Sequence, residues 1–157
     1  MGTSTNGQIS YGIKFDDGFE FPWDSLEYEG DIENWWTHGV LGFRYSFELY
    51  TPEGNYIGGE RPPQEKLDQY YAERREFEAK NPKLPVELDN YCSGDFPMYI
   101  LSVKGVGTSA RRGYPTAFNP SELVVTDEQV NELLGFCQAH GIELDGEPAW
   151  YLSSYWG

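Results

Sequence analysis

Positive charge is the scarcest resource in this 157-residue chain: 11 Lys and Arg stand against 26 Asp and Glu, giving −15 and a pI near 4.3. Without a basic footprint, direct binding to nucleic acid or to an anionic membrane is excluded, since both rest on cations meeting phosphates. Histidine and cysteine are nearly absent, at two each: His38, His140, Cys92 and Cys137. Two cysteines make no disulfide framework, and no CxxC supports a zinc site. No run approaches 18 apolar residues, which excludes a hydropathic membrane helix. The opening MGTSTNGQIS has neither the cationic start nor the apolar run of a secretory signal. Asn6 stands where a myristoylation motif wants Ser or Thr. These absences lead to the expectation of a soluble protein of the cytoplasm.

Aromatic residues, by contrast, make up 17% of the chain, and large rings bury enough area to offset a hydrophobic content of only 39%. A disordered chain would be poor in them. The length suits one globular domain, residues 1–157, with residues 1–7 small, polar and loose.

Phe15 to Trp36, FDDGFEFPWDSLEYEGDIENWW, concentrates both traits. Its 22 residues hold eight carboxylates, seven aromatics and no base. The carboxylates are Asp16, Asp17, Glu20, Asp24, Glu27, Glu29, Asp31 and Glu33. Residues 1–60 carry 11 acids and 2 bases, which is −9 of the total −15. Acids this dense repel one another unless solvent or a cationic partner screens them. One reading is a solvated loop whose rings enter the core. The other is a binding surface, in which the acids steer a basic or nucleic-acid-handling protein and Trp23, Trp35 and Trp36 supply contact area. Spaced carboxylates resemble phosphates, which recur every ~1.7 Å along duplex DNA.

Other chemistries fit less well. Asp16-Asp17-Gly18-Phe19-Glu20 does not follow the EF-hand pattern. A glycosidase needs two preorganised acids, and Glu20, Asp24 and Glu147 do not stand out among 26. Cys137 falls on an apolar helical stripe and reads as core. Cys92 sits in turn-like sequence with no histidine nearby. No catalytic residue, metal or cofactor is expected. Gly105 to Gly113 is the rival site: a glycine-rich loop flanked by Lys104, Arg111 and Arg112 that suits a phosphate or nucleotide, though it matches neither GxxxxGK[ST] nor GxGxxG.

The pattern predicts an α+β fold with a mainly antiparallel sheet and two principal helices, about 64–80 and 127–140. Ile9 to Phe15 alternates as a strand, and Asp31 is placed to cap a short helix. Gly42 to Tyr50 reads as a strand returning through Tyr56-Ile57-Gly58. Residues 83–94 read as extended and irregular, 97–103 as the central strand, 105–120 as a long loop and 122–125 as a short strand. Thr126 and Gln129 form a capping box. Trp150 to Trp156 reads as a last strand, with Trp150, Leu152 and Ser154 on one face. Nothing in the pattern specifies an oligomeric state.

Several segments resemble small acidic proteins encoded by tailed phages and prophages: MGTSTNGQIS, FPWD (21–24), GDIENWW (30–36), NYCSGDFPMYIL (90–101), RRGYP (111–115) and AWYLSSYWG (149–157). The resemblance implies a genomic setting and carries over no catalytic residue. Phage proteins of this size and acidity that are not part of the virion often inhibit host defence. The expectation is therefore a non-enzymatic accessory protein that binds a host protein. A nucleotide-sequestering protein and a virion or assembly protein stand as alternatives.

Overall fold

A computed structural model describes residues 5–156. The fold is α+β, with a five-stranded, mostly antiparallel sheet and three α-helices. Among the described residues no helix is long and apolar enough to cross a membrane. The chain divides into two compact units, Met1–Ser25 with Pro85–Gly157, and Leu26–Leu84.

The first unit holds the sheet. β1 (Thr5–Phe15) pairs along one edge with β5 (Ala149–Trp156). Its other edge meets β4 (Thr108–Arg111) and then β3 (Pro97–Val103), both antiparallel. β2 (Val86–Ser93) runs antiparallel to β3, and its last two residues pair parallel with the end of β5. Ile9 lies opposite Thr108 and Gly12 opposite Ser102, so three steps of β1 face six steps of the β3–β4 course. Three extra residues therefore loop out around Lys104–Gly107. Two glycines permit this. A Cβ on Gly12 would lie 2.2 Å from the Leu101 carbonyl oxygen, and one on Gly107 would lie 2.0 Å from that of Ile9.

β3 is buried on both faces from Ile100 to Val103. Ile13, Phe15, Leu101 and Val103 are buried, and α3 (Asp127–Ala139) packs on β3 and buries Leu133, Phe136 and Cys137. The predicted capping box opens α3: Thr126 accepts from the Gln129 amide and Gln129 accepts from that of Thr126. Burial lifts the Cys137 thiol to about 11, so it behaves as a small apolar group. On β5, Trp150, Leu152, Ser154 and Trp156 are exposed and alternate with half-buried neighbours, as the sequence pattern predicts.

The second unit is built on α2 (Gln64–Lys80). Leu67 and Tyr70 are buried with Leu49, and Tyr45, Phe47, Tyr50 and Tyr56 pack around them. Tyr45 and Tyr70 stack at 3.7 Å and 11°. Tyr50 and Tyr71 share a 2.8 Å hydrogen bond that helps push the Tyr50 phenol up to about 12. Asp31 caps α1 (Ile32–Asn34) by accepting from the Asn34 amide at 2.9 Å, and a π-helical turn continues over Trp35–Val40.

Five expectations about local structure need correction. Residues 42–50 form no strand; a single bridge joins Tyr50 to Tyr56. Their rings stack on α2 instead, and the Ser46 amide donates to Glu73 rather than to a ladder. Residues 83–94 are not irregular, because β3 supplies a partner for β2. The 105–120 loop contains β4, held by β1. Residues 122–125 form no strand and follow a 3-10 turn at Pro120–Glu122. Of the residues read as loose, Thr5, Asn6 and Gly7 belong to β1, and 1–4 lie outside the described residues.

Candidate functional site

The acidic–aromatic stretch separates its two residue types. Asp16-Asp17-Gly18 turns the chain back at the end of β1, with Gly18 at φ 82° and the Phe19 amide donating to the Asp16 carbonyl. The turn lays Phe19 on Phe15 at 4.5 Å. A second turn, closed by the Asp24 amide on the Phe21 carbonyl at 3.0 Å, follows; Phe21 and Trp23 are buried while Glu20 and Asp24 are exposed. Phe21 meets Phe15 edge-on at 4.9 Å and stacks on Trp23 at 4.7 Å. All eight carboxylates are exposed.

The tryptophans correct the sequence reading. Trp23 is 0% exposed and Trp35 is 7% exposed, so neither offers area to a partner. Trp36 is half-buried, and its indole N–H donates to the Pro82 carbonyl at 3.1 Å. The physical reason is area: removing a large ring from water stabilises the fold more than leaving it for a partner.

The carboxylates divide between the two units. Asp16, Asp17, Glu20 and Asp24 belong to the first; Glu27, Glu29, Asp31 and Glu33 belong to the second. Several have local work. Asp16 pairs with Lys14 at 3.1 Å, and that contact raises the Lys14 pKa. Asp24 accepts from the Phe21 amide at 2.8 Å. Asp31 caps α1, and Glu27 hydrogen-bonds Tyr28, whose phenol is raised first by burial and then by that bond. Glu29 is held outward in a tight turn. It has φ 49°, Gly30 has φ 82°, and the Asp31 amide closes the turn on the Tyr28 carbonyl at 2.8 Å. A side chain at positive φ is strained, and the glycine beside it eases the turn.

The rival glycine-rich site carries the wrong sign. A cavity of about 320 Å³ opens beside the bulge, lined by Ser10 on β1, Gly105, Val106 and Gly107 in the loop, and Glu87 and Asp89 on β2. Asp89 accepts from the buried Ser102 hydroxyl at 2.6 Å. Lys104, Arg111 and Arg112 are all exposed, and none lines the cavity. Arg111 ends β4 opposite Asn6, and the Arg112 amide donates to the Thr5 carbonyl. Two carboxylates at the wall repel phosphate rather than hold it.

A second cavity lies wholly within Leu26–Leu84. It measures about 350 Å³ and is lined by Glu27, Tyr28, Asn34, His38, Arg44, Tyr45, Glu48 and Tyr70. The π-helical turn supplies His38 and Gly39. A Cβ on Gly39 would sit 2.7 Å from the Tyr28 hydroxyl, so glycine leaves room for that phenol against the turn. His38 Nδ1 lies 3.1 Å from the Phe43 carbonyl. Arg44 Nη1 donates to the His38 carbonyl at 2.8 Å and to the Phe43 carbonyl at 2.7 Å. Burial, followed by the charge and hydrogen bond of Tyr45, raises the Tyr70 phenol far above its usual range. Sequence reasoning placed Glu27 among partner-binding acids but missed Tyr28, Arg44, Tyr45, Glu48 and Tyr70 as a set. Short π-helical segments often mark functional sites, yet nothing in the sequence announces one. Among the described residues no group of three or more His, Cys, Asp or Glu is placed to hold a metal ion.

No family model matches the chain, and neither does any curated protein or solved structure.

Proposed function

We propose that this protein is a non-enzymatic accessory protein of a tailed phage or prophage. It binds and inhibits a basic, nucleic-acid-handling host defence protein through its exposed carboxylates. The observation that carries this reading is the separation at 15–36: every carboxylate faces solvent while Trp23 and Trp35 are interior. The acids are thus left as a charged exterior on a well-packed base. Both units add to the field. The first carries 14 acids and 4 bases, and the second 12 acids and 7 bases. Charge of one sign steers a cationic partner and can occupy a groove made for phosphates.

The test neutralises Asp17, Glu20, Glu29 and Glu33 together as Asn and Gln. These four have no capping role. The variant is compared with wild type in capture from infected-host lysate, with the captured protein identified by mass spectrometry. The variant captures less of the partner, and wild-type affinity falls steeply with salt. Tight binding indifferent to both changes overturns the proposal.

One observation favours a second reading, an assembly protein. The outer face of β5 exposes Trp150, Leu152 and Trp156, with Leu152 at 83% exposure. Exposed apolar side chains in a row suit a subunit contact. Detection of the chain in purified virions decides for this reading.

A further inference from the structure

We infer that the cavity within Leu26–Leu84 is a recess for one arginine side chain of the basic partner. This inference rests on the reading above and gives it a specific point of attachment.

Three features of the wall fit a guanidinium. Its free charge is negative: Glu27 and Glu48 are both exposed carboxylates. Arg44, the cation in the lining, is tied back by two backbone carbonyls through Nη1, and Arg74, which donates to the lining Asn34 at 2.9 Å, is paired with Glu78. The wall is also aromatic: Tyr28 and Tyr45 are half-buried and line it, with buried Tyr70 stacked behind Tyr45, and guanidinium planes stack on such rings. Finally, it is rich in acceptors. The Phe43 carbonyl can only accept, so His38 Nδ1 donates in that hydrogen bond. The two carboxylates and the phenol oxygens of Tyr28 and Tyr45 meet a group with five donors and no acceptor. A phosphate or carboxylate ligand would face the opposite balance. A volume of about 350 Å³ lies within the ~300–1,000 Å³ range of ligand pockets and accommodates one long side chain.

The probes are a short uncharged-flank peptide, acetyl-Gly-Arg-Gly-amide, its citrulline counterpart and agmatine. Aromatic-region NMR of the full chain follows the Tyr and His signals. The arginine peptide gives saturable shifts centred on Tyr28, His38 and Tyr45. Citrulline weakens binding by about tenfold or more, the size expected when charge-assisted hydrogen bonds are lost. E27Q/E48Q removes the saturable shifts while its thermal unfolding stays close to wild type, because both side chains are exposed. E143Q/D145N deletes the same charge from the first unit and leaves the titration unchanged.

Equal binding of the citrulline peptide overturns the inference, as does equal loss in both double variants. Agmatine binding about tenfold tighter than the peptide would reassign the recess to a free organic cation and overturns its use by a partner's side chain. The peptide titration does not depend on Asp17, Glu20, Glu29 or Glu33. The recess therefore fails without affecting the capture experiment, and loss of the surface reading shows only in capture.

Discussion

At the residue scale, position along one short segment decides whether a side chain holds the fold or meets solvent. Trp23 and Leu26 are three residues apart, yet one is fully buried and the other is 97% exposed. Trp23→Ala empties an aromatic cluster and costs about 3–5 kcal/mol, whereas Leu26→Ala stays within about 0.5 kcal/mol of wild type. Urea unfolding of the two variants checks the contrast. His140 supplies a pH-dependent counterpart. It lies against Phe136 at 4.8 Å, and burial lowers its pKa below the ordinary 6.5. The unfolded chain therefore takes up this proton at a higher pH than the folded chain does. The stability contributed by neutral His140 is present above 6.5 and is lost as pH falls through that value toward the folded pKa. Melting temperature measured against pH drops less steeply in His140→Gln over that window.

At the scale of elements, the bulge between β3 and β4 sets the sheet. Gly107 has φ 114° and no room for a Cβ beside the Ile9 carbonyl, so Gly107→Ala meets both strain and a backbone clash. It destabilises by about 2 kcal/mol or more. Gly54, at φ 81°, has open space around its missing Cβ, so Gly54→Ala carries strain alone, about 1 kcal/mol. Denaturation midpoints of the pair separate the two causes.

Elements also show where sequence patterns end. α2 and α3 were legible because apolar positions three and four apart coincide with clear stops and a capping box. The 42–50 segment was not. Its alternating aromatics satisfy a strand pattern, but α2 offers rings to stack on, and stacking replaced ladder pairing. β4 was hidden because Thr108–Arg111 has no apolar signal of its own and exists through pairing with β1.

At the scale of the molecule, −15 is a standing self-repulsion. Ion pairs are seen at Lys14–Asp16, Arg74–Glu78 and Lys80–Glu76. The two helical pairs are spaced i,i+4 and each contributes little. With 26 acids against 11 bases, repulsion among the excess acids dominates the electrostatics, and screening relieves it. Melting temperature rises as NaCl goes from about 10 mM to about 100 mM, over which the Debye length falls from about 30 Å to about 10 Å. A scan across that range checks the sign. The same salt weakens partner capture, so stability and binding move in opposite directions.

The sequence by itself determined the fold class, the two long helices, the outward row on β5 and the acidic exterior. These follow from local periodicity and from the charge count, which no folding can change. Only the tertiary structure decided the fate of the tryptophans: Trp23 is buried among the rings that the turn at Asp16–Gly18 brings together, and Trp36 is held by the Pro82 carbonyl. It also separated the three bases of the 104–112 loop from the cavity and placed Glu87 and Asp89 there instead. It assembled Tyr28, His38, Arg44, Tyr45, Glu48 and Tyr70 around one recess from positions spread over more than forty residues. Contacts of that range are set by packing, and packing leaves no period in the sequence to read.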